Sequence, residues 1–162
     1  MEQLVKNSGI KQCFPPIDTT GAGQTGTPIS MKHWDHCTIT ISTGAWAGGT
    51  SAVTLTQDTS VTPTGAVKAL AFTHYFTNVA AVGSNMMVDT ACASTFNIAA
   101  TANADYVIEI DADTLDATNG FDCLRLVTAS PGANADLLSA TYICTKGRYV
   151  GASGTIKDFT ID

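Results

Sequence analysis

The feature that most constrains this chain is the period-two alternation between Asp105 and Thr128, in DYVIEIDADTLDATNGFDCLRLVT. Tyr106, Ile108 and Ile110 alternate with Val107, Glu109 and Asp111, and Leu124 and Leu126 alternate with Cys123, Arg125 and Val127. A strand points successive side chains to opposite sides, so this pattern predicts two strands with one face on a core. A helix would need apolar residues at every third or fourth position, and no stretch sustains that spacing. Pairing the two arms as an antiparallel ladder, with Ile110 opposite Leu124, also sets Ile108 opposite Leu126. It then brings Glu109 opposite Arg125 on the other face.

The same alternation recurs along the chain. HCTITIS at 36–42 sends Ile39 and Ile41 one way and Thr38 and Thr40 the other. SAVTLTQD at 51–58 carries Val53 and Leu55 on one face. AVKALAFTHYF at 66–76 is expected to be one strand, with Leu70, Phe72, His74 and Phe76 on a common face. Short strands are expected at MMVD, 86–89, and STFNIA, 94–99, and a longer one at LLSATYICT, 137–145. The Gly-rich tail YVGASGTIKDFTID adds at most one short edge strand.

Eight or so strands punctuated by Gly, Pro, Asn and Ser predict an all-β domain, an antiparallel β-sandwich or jelly roll. Residues 1–30 hold Pro15, Pro16, Pro28, Gly21, Gly23 and Gly26 with little periodicity, so they read as an extended N-terminal arm. Residues 31–162 read as the β-sandwich domain. A chain of 162 residues suits one such domain and can bury roughly 70% of its unfolded surface, so it needs no metal or disulfide staple.

Charge narrows the partners. Only 14% of residues are charged, the net charge is −6, and the eight Lys and Arg are scattered. Nucleic-acid binding needs a basic stripe, so it is not expected, and neither is an anionic membrane surface. The N-terminus MEQLVKNSGIKQ has no apolar signal core, and no secretion by the general route is expected. Cys13, Cys37, Cys92, Cys123 and Cys144 are odd in number and widely spaced. Free thiols and folding in a reducing cytoplasm are expected.

Four clusters invite chemistry. GAGQTG at 21–26 meets the G-x-G-x-x-G spacing, but that motif holds a phosphate only between a strand and a helix N-terminus. Pro28 and an irregular stretch follow instead, so the glycines read as arm flexibility and no dinucleotide is expected. HWDHC gathers His33, Asp35, His36 and Cys37, yet a structural zinc wants a second ligand pair, and none is present. In an extended chain His33 and Asp35 share a face while His36 points away. Asp111, Asp113, Asp116 and Asp122 fail the calcium-loop template, with Leu115 and Asp116 at its fifth and sixth positions. They read as a solvated loop of Asp side-chain turns ending in Asn119-Gly120, with a looser calcium site as the alternative. Glu109 and Asp111 share a strand face, which suits a glycosidase pair and equally an outward polar surface. The polar surface is preferred. No G-x-S-x-G turn is present, so the chain is read as a non-enzyme with no catalytic, cofactor or metal residues.

Several stretches are similar to a family of small virion proteins of tailed bacteriophages. They are PISMKHWDHCTITISTGAWAGGTSAVTLTQ, GAVKALAFTHYFTN, DYVIEIDADTLDATNGFDCLRLV and LLSATYICTKGRY, spanning most of residues 28–149. Members of that family resemble head decoration, or cement, proteins that bind the outside of an assembled capsid. The resemblance implies a β-sandwich or jelly roll, a homo-oligomer, and the major capsid protein as partner. It also implies a virion location after synthesis in the host cytoplasm, and transfers no catalytic residue. The other expectation is a carbohydrate- or receptor-binding β module of a tail fibre.

Overall fold

The computed structural model describes residues 4, 8–62, 64–79, 83, 86–98 and 102–148. Two antiparallel sheets lie face to face as a sandwich, the all-β class that the alternation predicts. The first sheet runs β1 (Gly9–Asp18), β12 (Asp136–Gly147), β4 (Trp34–Trp46), β10 (Asp105–Asp111), β7 (His74–Asn78) and β8 (Val88–Ala91) in spatial order. The second runs β2 (Gln24–Thr25), β11 (Cys123–Thr128), β5 (Ser51–Asp58) and β6 (Val67–Leu70). β3 (Ile29–Ser30) joins it beside β11, and β9 (Phe96–Ile98) beside β5. Two short 3-10 helices, η1 (Ala112–Thr114) and η2 (Ala117–Asn119), occupy the connection from β10 to β11.

The core is filled by the alternate residues of both sheets. Ile39, Ile41, Tyr106, Ile108 and Tyr142 come from the first, and Val53, Leu55, Leu124 and Leu126 from the second. One end is closed by rings: Phe96 stacks on Tyr75 at 4.0 Å between centroids and on Tyr106 at 5.6 Å, and meets Phe72 edge-on at 6.3 Å. Such ring pairs add about 0.5–1.5 kcal/mol each beyond the area they bury.

The expected pairing of β10 with β11 does not occur. β10 lies between β4 and β7 in the first sheet, and β11 beside β5 in the second. Ile108 and Leu126 are both fully buried, but on opposite walls of one core. The connection through η1 and η2 is too long for a tight hairpin, and it tucks Ala112 and Leu115 against the core as it crosses between sheets. Glu109 and Arg125 therefore belong to different sheets, Glu109 exposed on the first and Arg125 buried on the second. Arg125 instead pairs with Asp58 at 3.0 Å, and its Nε donates to the Thr56 hydroxyl at 3.2 Å. Burial pushes the Asp58 carboxyl above its ordinary value, and the Arg125 guanidinium pulls it back.

The segment 66–76 also departs from expectation. It is β6 in the second sheet and β7 in the first, with a bend at 71–73. Leu70 and Phe72 face the core, but beyond the bend Tyr75 packs inward while His74 is exposed. Changing sheets slips the facing phase by one residue, which moves every later side chain to the other side.

Residues 9–18, assigned from sequence to an extended arm, form an edge strand paired with β12. A register shift after Gln12 turns both Cys13 and Phe14 into the core. Pro15 and Pro16 are exposed on this edge, where a missing N–H breaks no ladder and discourages pairing with another chain. The expected strand in the tail 149–162 lies outside the described residues.

Two of the three glycines of GAGQTG have packing reasons, and Gly21 stands at φ 69°. A Cβ on Gly23 would stand 2.2 Å from the Thr128 carbonyl oxygen, and one on Gly26 would stand 2.2 Å from the Cys13 sulfur. The motif lets the chain pass closely over β11 and β12, and no helix follows it.

Candidate functional site

The outward face of the first sheet crosses six hydrogen-bonded strands. Residues directly opposite in an antiparallel ladder share a face, so the register writes out its rows. One row crosses all six strands: Gln12, Thr141, Thr40, Val107, Phe76 and Asp89. The next holds Ile10, Ile143, Thr38 and Glu109, and the one beyond it Thr145, His36 and Asp111. On the other side lie Ser139, Ser42, Asp105 and Asn78. None of these positions is Lys or Arg.

The face has two halves. Over β1, β12 and β4 it is Thr, Ser, Gln and Ile. Over β10, β7 and β8 it carries Asp89, Asp105, Glu109 and Asp111 around Phe76. His36 joins the halves. Its Nδ1 lies 2.7 Å from Asp111 Oδ1, its Nε2 contacts Glu109 Oε2, and the Thr38 hydroxyl donates to the same Glu109 oxygen at 2.9 Å. Sequence reasoning placed Glu109 and Asp111 on one face. It missed His36 between them, because β4 and β10 are far apart in the chain.

The other sequence candidates disperse. Within HWDHC, His36 points outward, Cys37 is fully buried, and Asp35 pairs with Arg148. Within the acidic loop, Asp116 bonds Lys68 at 2.7 Å and Asn119 at 2.8 and 3.0 Å, while Asp122 pairs with Lys32 at 3.4 Å. Lys68 and Asn119 hold the Asp116 carboxyl below the ordinary range. Among the described residues, no group of three or more His, Cys, Asp or Glu is arranged to hold a metal ion. Gly120, at φ 84°, closes the loop as the Asn-Gly pair predicts.

The thiols hold one surprise. Cys37 and Cys144, distant in sequence, are direct cross-strand partners on the core side of β4 and β12. Contact with Cys144 and burial both push the Cys37 thiol well up. Burial likewise pushes Cys13 up to about 12, although the Tyr142 hydroxyl beside it acts the other way.

No known protein family matches the chain, and no curated protein does. Among solved structures, the chain is similar to the SPBc2 prophage-derived protein YomS, with a TM-score of 0.46 and 11% identity over 86% of this chain and 94% of that one. It is also similar to a putative sugar binding protein from Bacteroides thetaiotaomicron, with a TM-score of 0.38 and 13% identity over 86% of this chain and 81% of that one. At these levels neither likeness adds to a functional reading.

Proposed function

We propose that this chain is a non-catalytic structural protein of a tailed-phage virion, which decorates the head by laying the outer face of its first sheet on the capsid. The observation that carries this reading is the composition of that face: rows across six strands without Lys or Arg, mainly Thr, Ser and Ile over β1, β12 and β4. Such side chains lose little rotamer freedom on contact, whereas Lys and Arg lose up to about 2 kcal/mol each. The family resemblance of residues 28–149 supplies the capsid as the partner.

Magnitude shapes the rest. Strand spacing of about 4.8 Å and rows about 6.8 Å apart give a flat patch on the order of 500 Å². A standard interface buries about 800 Å² on each partner. One copy therefore binds modestly, and a homo-oligomer engaging several equivalent lattice sites supplies the remainder through avidity.

A carbohydrate-binding module of a tail fibre would need exposed rings. Trp34, Tyr106 and Tyr142 are in the core, and Trp46 and Tyr75 pack partly buried against it. Phe76 is the one Phe, Tyr or Trp in the outward rows, short of the several rings a sugar platform needs, which favours the head reading. The test is occupancy on purified shells stripped of this protein, scored with thermal rupture. The wild type should bind and raise the rupture temperature, and Thr40→Lys with Thr141→Lys should abolish binding while leaving the fold intact. Localisation only to tail tips, or unchanged occupancy by the Lys variant, overturns the assignment.

A further inference from the structure

The ladder between β7 and β10 stops early. β10 pairs with β4 from Asp105 to Asp111, but with β7 only from Asp105 to Val107. Continued register would set His74 opposite Glu109. Instead the chain bends away, because as β6 it must reach β5 in the second sheet. Residues 108–111 of β10 thus have a strand neighbour on one side only. A groove of about 500 Å³ opens there, lined by Phe72, His74, Phe76, Asp89, Glu109 and Ile110 among others.

An interrupted ladder offers main-chain donors and acceptors to an added strand. Here the side chains around it also select by charge. Asp89 and Glu109 line the groove beside His74, Glu109 with its Oε2 held by His36 and Thr38. Asp105 and Asp111 lie on the same outward face, and no Lys or Arg lines the groove. The ion pairs Lys32–Asp122, Lys68–Asp116, Arg125–Asp58 and Arg148–Asp35 lie elsewhere. Phe76, in the same row as Asp89, adds a ring that attracts a cation.

We propose that this groove takes an extended segment of a partner protein carrying Lys or Arg, its main chain along the open edge of β10 and its basic side chain at Asp89 and Glu109. The proposal rests on the shell-binding reading for the source of the segment. The chemistry can be tested without a shell, so the two can fail separately.

The probe is an acetylated, amidated pentapeptide of threonine and valine with a central arginine, titrated into the isotope-labelled full chain and read by amide NMR shifts. Saturable shifts at 72–76, 89 and 108–111 are expected. A glutamine-centred peptide, and the variants Asp89→Asn and Glu109→Gln, should each weaken binding by about fivefold or more. N-methylation of the peptide backbone should weaken it as well. Equal affinity for the glutamine peptide, shifts confined to other surfaces, or a methyl glycoside shifting these residues while the peptide does not, would each overturn the proposal.

Discussion

The Tyr142 hydroxyl accepts a hydrogen bond from the main-chain N–H of Leu126 at 2.9 Å, tying β12 in the first sheet to β11 in the second. Tyr142 is 1% exposed, and burial pushes its phenol well above the ordinary value, so it remains protonated. Tyr142→Phe keeps the ring and leaves the Leu126 N–H without this partner inside the core. The loss should be about 1–3 kcal/mol, read from the urea midpoint. An unchanged midpoint would mean that the contact between the sheets contributes nothing.

Gly26 sits against the same pair. A Cβ there would stand 2.2 Å from Cys13 Sγ, 2.8 Å from the Tyr142 hydroxyl and 3.1 Å from the Leu126 carbonyl oxygen. Gly26→Ala should cost about 1–3 kcal/mol or more by overpacking. Cys13→Ala in the same chain removes the shortest contact and should recover part of that loss. Thermal midpoints of the four chains in the cycle measure the coupling, and strict additivity would contradict it.

Asp136 anchors the turn after β4. It is fully buried, and its Oδ1 accepts from the N–H groups of Ala47 at 2.6 Å and Gly48 at 3.3 Å. Asp136→Ala takes the acceptor from Gly48, leaves Ala47 only its 3.2 Å bond to the Ala135 carbonyl, and should destabilise by about 1–3 kcal/mol. Amide exchange at Ala47 should accelerate more than exchange at the centre of β5. A uniform change across both would show that the turn is not held locally.

Acid should erase one surface contribution. Lys68, with Asn119, holds the folded Asp116 carboxyl below its ordinary value of 3.8. The folded state thus favours the ionised form, so the contribution is complete above 3.8 and is lost as pH falls through the depressed folded value. The wild type should exceed Asp116→Asn in urea midpoint at neutral pH, and the gap should close on acidification. A gap that widens toward low pH would reverse the sign and exclude this assignment.

All five cysteines are free, and Cys13, Cys37, Cys123 and Cys144 are buried while Cys92 is partly exposed. With Cys13 pushed up to about 12 and Cys37 higher than usual, little thiolate exists at neutral pH. A thiol reagent should modify the native protein at Cys92 alone, and all five groups after unfolding. Native modification of Cys37 or Cys144 would contradict the packing of β4 on β12.

Alternation by itself determined which side of each strand meets the core. Ile39 with Ile41, Val53 with Leu55, Ile108 with Ile110 and Leu124 with Leu126 are buried as their spacing requires, and Ser51–Asp58 matches the strand read from SAVTLTQD. The shared outward face of Glu109 and Asp111 was legible for the same reason. Partner choice was not, because a strand's main-chain donors and acceptors fit any neighbour. Only the tertiary structure set β10 beside β4 and brought His36 to Glu109. It also parted Glu109 from Arg125, paired Cys37 with Cys144 and drew β1 into the sheet. The bend at 71–73 is the sharpest case. Whether His74 or Tyr75 faces inward depends on which sheet the chain has joined, and that is decided by closure of the whole core.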